Sequence, residues 1–127
     1  MECRKFEKLG IAPSLLGFGC MRFPLNEEGK IDWVESEKMV DYAIANGVTY
    51  IDTAKPYHNG ESEVFLGEIL KKYPRDSFYL ATKCSPWMVK TLEDAKVFFE
   101  GQLKDLQTTY IDFYCFILWI KKVGRNL

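Results

Sequence analysis

Four short, almost continuously apolar segments begin near residues 15, 48, 78 and 110, and three stretches with apolar residues at helical spacing separate them. The repeat is about 30 residues, the size of a strand–helix–strand unit. A strand that is apolar along its whole length is buried on both faces, which is the condition of a parallel sheet covered by helices. Two architectures satisfy this order: a doubly wound open sheet, or part of a (β/α) barrel. A four-stranded sheet fits into 127 residues as one domain. A barrel of eight such units needs about 250 residues, so a chain of this length would hold half of one.

The local signals support the order. RKFEKL and PSLL, around Gly10 and Pro13, predict a small hairpin over 4–15, and LLGFGCM a short buried strand over 15–21. A helix is expected over 33–46: Asp32 can cap it, Glu35 can close a capping box, and Gly47 ends it. Its apolar side is Trp33 or Val34, then Met39, Val40, Ala43 and Ile44. VTYID, 48–52, follows as a strand, then a helix over 62–73 ended by Pro74, then the strand FYLAT, 78–82. Thr91 with Asp94 predicts a capped third helix whose apolar stripe is Leu92, Ala95, Phe98, Phe99, Leu103 and Leu106. YIDFYCFI, 110–117, is the fourth strand.

Composition removes several function classes. Seventeen basic against eighteen acidic side chains give a net charge of -1, so no global basic field invites nucleic acid or an anionic membrane. The longest apolar run, Phe113 to Ile120, is far short of the roughly 20 residues that span a bilayer. MECRKFEKLG has no apolar core of a signal peptide. Cysteines at 3, 20, 84 and 115 with a single histidine suit neither a zinc site nor a disulfide framework. No metal ligand set is expected, Cys20 and Cys84 read as small buried hydrophobes, and a reduced, cytoplasmic protein is the default.

Function in parallel α/β architectures collects at the carboxyl ends of strands. The second strand ends at Asp52, followed by TAKPYHNGESE with Tyr57; the third ends at Lys83. Each alone has a plain structural reading, as a turn residue, a loop aromatic and a solvated charge. Together they bring a carboxylate, a phenol and an ammonium group to one rim. An ordinary tyrosine titrates near 10 and is a poor acid at neutral pH. A neighbouring lysine favours its phenolate, an aspartate can hold that lysine, and the tyrosine can then protonate an oxygen that gains negative charge.

KLGIAPSLLGFGCMRFP, GVTYIDTAKPYHNGESEVFLGEILKKYPRDSFYLATK and QLKDLQTTYIDFY, in order over residues 4–116, resemble the aldo-keto reductase family. They are particularly similar to a bacterial branch with a ferredoxin-like iron–sulfur region near its C-terminus. The D-T-A-x-x-Y element, with E-S-E, L-G-E and the A-T-K strand end, carries the resemblance. It implies the N-terminal half of a (β/α)8 TIM barrel, about four parallel strands and three helices preceded by a short β-hairpin. Residues 1–127 would be one partial domain with 117–127 as a divergent, basic tail containing Lys121, Lys122 and Arg125. It further implies hydride transfer from NADPH to a small carbonyl substrate. Tyr57 would be the acid, Lys83 its tuner and Asp52 the partner of Lys83. Gly19, Cys20 and Met21 at the first strand end, with Asp52, would lie beside the cofactor. Gly17-Phe-Gly19-Cys-Met-Arg22 lacks the third glycine of a dinucleotide fingerprint, and small residues packing a tight strand end explain it equally well.

The departures are specific. Where the family's fourth strand usually ends in histidine, this chain has Ile117. His58, the one histidine, reads as a loop residue following Tyr57. The resemblance stops at ILWIKKVGRNL. It places most NADPH contacts, and the cysteines of the iron–sulfur region, in later segments, the pattern that a frameshift, a premature stop or a split gene produces. Two readings follow: an NADPH-dependent reductase represented by its N-terminal half, or a non-catalytic half-barrel that needs a partner chain. On either, the isolated chain is expected to bind NADPH weakly or not at all. Asp52, Tyr57 and Lys83 are expected to cluster, and exposed half-barrel edges to promote self-association.

Overall fold

The computed structural model describes residues 1–117; the expectations placed on the basic tail lie outside the described residues. The elements are β1 (Gly17–Gly19), α1 (Trp33–Ala45), β2 (Tyr50–Asp52), α2 (Glu61–Ile69), β3 (Tyr79–Cys84), α3 (Leu92–Asp105) and β4 (Phe113–Phe116). All strand pairs are parallel and their order is β1-β2-β3-β4. That order decides between the two architectures. A doubly wound sheet reverses its strand order at a switch point, whereas a barrel adds each strand beside the last. The chain forms a segment of barrel wall.

Capping explains where the helices start. Asp32 accepts the Glu35 amide at 3.1 Å. The Glu35 carboxylate pairs with Lys38 instead of reaching back, so the expected box at α1 closes on one side only. At α3 it closes fully between Thr91 and Asp94. β1 is shorter than the expected 15–21 because Ser14 and Thr49 satisfy each other's amides with their hydroxyls, at 2.9 Å each, in place of ladder bonds. The expected helix 62–73 divides into α2 and a 3₁₀ turn over Leu70–Lys72 before Pro74.

Burial alternates along the strands and separates two faces. Ile51 and Leu80 are buried under the helices with Val40, Phe65, Leu66, Ile69 and Leu106. Tyr50, Asp52, Tyr79, Lys83 and Phe113 are half-buried on the other face. There the Tyr50 and Phe113 rings meet at a tilt with centroids 5.2 Å apart, and Tyr79 meets Phe113 edge-on at 6.2 Å. Gly17 makes room for this layer, since a Cβ on it would lie 3.0 Å from the Tyr50 ring. The hairpin, bridged at Cys3–Ser14 and Phe6–Ile11, closes the amino ends of the strands: the Ala12 amide donates to the Tyr79 hydroxyl at 3.1 Å. The carboxyl ends remain open.

Two expectations need correction. LLGFGCM, expected as a buried strand, exposes Leu15, Leu16 and Met21, since β1 is an edge of the described sheet. Leu92, placed in the α3 stripe, is 76% exposed; as the first residue of α3 it precedes the part that meets the sheet. Along the strands, Leu80 is buried among the helices, whereas Tyr50, Tyr79 and Phe113 stay half-buried on the opposite face. β4 is nonetheless an edge among the described residues, with Tyr114 40% and Phe116 70% exposed. An unpaired aromatic edge is a template for strand addition, and burying each such ring yields roughly 1.5–3 kcal/mol. The purified 127-residue chain is therefore expected to self-associate at micromolar concentration, read by light scattering with size-exclusion chromatography. A monodisperse monomer would contradict this.

Candidate active site

The site forms where β2 and β3 end. Register pairs Asp52 with Ala81, so Lys83, two residues further, lies on the same face as Asp52. Its ammonium donates to Asp52 Oδ2 at 2.7 Å and to the Thr53 carbonyl at 2.8 Å. Both side chains are largely shielded, at 17% and 32% exposure, so this charge-assisted pair is less screened than a surface one. Tyr57 opens the turn after β2, its amide donating to the Ala54 carbonyl at 3.1 Å. The Lys83 ammonium lies 5.1 Å from the centre of the Tyr57 ring. Carboxylate, ammonium and phenol thus meet at one rim.

A cleft of about 750 Å³ opens beside this rim, lined by Met21, Pro56, Tyr57, Trp87 and Ile117. Its lining side chains are apolar apart from the Tyr57 hydroxyl and the Trp87 indole. Ile117 is fixed there by its amide, which donates to the Cys84 carbonyl at 3.0 Å. His58 points to the neighbouring loop, where its Nε2 accepts the Phe23 amide at 3.0 Å. Among the described residues no group of three or more His, Cys, Asp or Glu could hold a metal ion, and no helix is long and apolar enough to cross a membrane.

The four residues placed beside a cofactor separate in the structure. A Cβ on Gly19 would meet nothing within 4 Å, Met21 is exposed, and Gly19 is the register partner of Asp52. This is open rim that a flat ring can approach. Cys20 differs: it is fully buried, its amide donates to the Asp52 carbonyl and its carbonyl accepts the Ser62 hydroxyl. Burial, then the Asp52 charge, pushes its thiol far above the ordinary range. Cys20 has no free surface, and its backbone amide and carbonyl are both engaged.

A network under the rim escaped the sequence reading. Ser62 and Glu63, in the first turn of α2, are fully buried. The Ser62 hydroxyl bonds Thr53 at 2.9 Å and the Cys20 carbonyl at 3.1 Å. Glu63 Oε1 accepts from Thr82 and from Gln102, both at 2.7 Å, and Gln102 also donates to the Lys83 carbonyl at 3.1 Å. The ends of all three first strands are thereby tied to α2 and α3. The signal available was a glutamate beside the buried run Phe65–Leu66, quoted as part of E-S-E but given no role.

Burial raises the Glu63 pKa above its usual 4.5, against the bonds from Thr82 and Gln102. The folded state therefore binds its proton more tightly than the unfolded state, and the stability this contributes is lost as pH rises from about 4.5 through the raised value. Glu63→Gln, with the same shape and no charge, is expected to be more stable than wild type at pH 8 and to lose that advantage near pH 4. Urea unfolding at both values checks it; an equal difference at both would contradict the assignment.

The sequence comparison decides the family. A family model described as the aldo/keto reductase family matches residues 15–123. The chain belongs to that family. It is 34% identical over 122 residues to the aldo-keto reductase YhdN of Bacillus subtilis, covering 90% of this chain and 37% of that protein. The fold is similar to that of the thermostable aldo-keto reductase Tm1743, solved with the inhibitor epalrestat, at a TM-score of 0.79 and 25% identity, covering 98% of this chain and 45% of that one. An aldo/keto reductase from Klebsiella pneumoniae, solved with NADP and acetate, aligns at a TM-score of 0.71 and 26% identity over 84% of this chain and 36% of that one. The chain thus spans about a third of the length of the curated relatives it matches. The described four-stranded wall is a partial barrel of this oxidoreductase family.

Proposed function

We propose that this site reduces a small carbonyl compound to an alcohol, with Tyr57 as the proton donor. The observation that carries the reading is the convergence of Asp52, Lys83 and Tyr57 at the joined ends of β2 and β3. A nicotinamide cofactor, NADPH by similarity to the Klebsiella structure, supplies the hydride when bound, with Gly19, Met21 and Asp52 the rim residues that would lie against it. Asp52 and the Thr53 carbonyl fix the Lys83 ammonium. That ammonium stands beside the ring on which negative charge develops as Tyr57 gives up its proton, a preorganised stabilisation of the transition state. Met21, Pro56, Trp87 and Ile117 give the reacting carbonyl largely apolar walls. Ile117 offers no polar group to orient the carbonyl oxygen, and the Tyr57 hydroxyl supplies one in this wall.

Carbonyl-dependent oxidation of NADPH, followed by loss of reduced-nicotinamide absorbance over a set of aldehydes and ketones, tests the proposal. A parallel NADPH titration separates absent binding from absent chemistry. NADPH bound without consumption of any carbonyl would overturn the reading of the site.

A further inference from the structure

We propose that His58 is a positioning residue for Tyr57, acting through the acceptor lone pair of its neutral ring, and that protonating it releases the Tyr57 loop. This rests on the reading of Tyr57 as the proton donor. His58 and Asn59 both lie in the left-handed region, at φ 51° and 55°. Histidine and asparagine enter that conformation more readily than most residues, yet two in succession are uncommon and are held where the surroundings impose it. The imposing contacts are visible. His58 Nε2 accepts the Phe23 amide at 3.0 Å, and the two rings lie 5.8 Å apart. Phe23 is itself buried and meets Phe65 of α2 edge-on at 4.9 Å. One hydrogen bond therefore ties the loop carrying Tyr57 to the loop carrying Met21, and these two residues line the same cleft.

The bond requires an unprotonated Nε2 and places the ring proton on Nδ1. An imidazolium carries N–H on both nitrogens and cannot accept, so protonation turns an attraction to the Phe23 N–H into an opposition. The charged neighbours are few. Lys30 and Glu61 line the same side as His58, with Glu61 already engaged by the Ile31 amide and the Trp33 indole. Arg22 adjoins Phe23 in sequence, and Lys83 lies across the Tyr57 ring. His58 is the sole histidine of the chain, so its titration is read without ambiguity.

The experiment is an NMR titration of the whole chain between about pH 8 and 5, in wild type, His58→Gly and His58→Gln. In wild type the His58 ring, the Phe23 amide and the Tyr57 ring are expected to share one midpoint. Hydrogen-exchange protection of the Phe23 amide should fall about tenfold across it, the equivalent of one ordinary hydrogen bond. His58→Gly accepts the backbone without strain; it should show the lower Phe23 protection at every pH and a Tyr57 ring that no longer responds. His58→Gln, which brings a non-titrating acceptor, should restore the protection and still lack the response. A Tyr57 ring indifferent to His58 titration, or full Phe23 protection in His58→Gly, would overturn the proposal. Coupling without carbonyl reduction would leave this tether standing and remove the chemistry assigned to Tyr57.

Discussion

Gly67→Ala is expected to destabilise the fold strongly. A Cβ at Gly67 would lie 2.2 Å from the Asp105 carbonyl oxygen and 2.9 Å from two backbone carbons of Leu106. These are main-chain atoms, so no rotamer change can relieve the contact. Either α2 or the end of α3 must move outward by about the difference to a normal contact of roughly 3.5 Å. That motion strips Leu66 and Leu106 from the core they share and pulls Gln102 away from Glu63. Overpacking costs about 1–3 kcal/mol where side chains can yield and more where backbone must shift. At least about 3 kcal/mol is expected, a large share of the 5–15 kcal/mol of an ordinary domain, with a Tm about 15 °C lower. Gly101→Ala is the contrasting control. It also lies inside a helix, α3, but a Cβ there would meet nothing within 4 Å. It should raise stability by about 0.5–1 kcal/mol, because alanine has less backbone freedom to lose. Equal melting temperatures for the two variants would contradict this account of the helix contact.

Tyr57→Phe is expected to lower kcat for carbonyl reduction by about 10²- to 10⁴-fold, the usual contribution of a positioned proton donor. The substitution keeps the ring, and so keeps both the wall of the cleft and the surface that the Lys83 ammonium faces. NADPH affinity and stability should therefore stay near wild type, and KM should change far less than kcat, as for an interaction made chiefly in the transition state. Steady-state kinetics on both proteins provides the comparison. Wild-type turnover by Tyr57→Phe would assign the proton to another donor.

What could be read from the sequence depended on whether a residue's role is local or conferred by its neighbours. The strand–helix order, the caps at Asp32 and Thr91 and the stop at Gly47 are local, and each appears in the structure. Asp52 and Lys83 could be placed together because parallel strands allow few registers once both ends are named. Gln102 could not be found: a glutamine on an otherwise apolar helix face reads as solvated, and only packing reveals that its amide meets three oxygens. Gly67 was equally silent, because its significance lies in a carbonyl 38 positions later along the chain. The sheet order was undecided between two architectures for a similar reason. Periodicity reports which residues are buried, and says nothing of the side to which each crossover turns.

The sequential order of the four strands also bears on how the molecule comes into being. Each described strand pairs only with its neighbours in sequence, so every pairing closes a loop of about 30 residues and none waits for a distant segment. Loops of this length cost less entropy to close than pairings between the chain's two ends would. During synthesis, domains assemble from the N-terminus onward as the chain emerges. Asp52 and Lys83 can therefore meet as soon as β3 docks on β2, before α3 and β4 have left the ribosome. Gln102 arrives afterwards and locks the Lys83 carbonyl from behind. The charged pair is thus an early guide to register, and the buried amide network a late fastening applied to a geometry already in place.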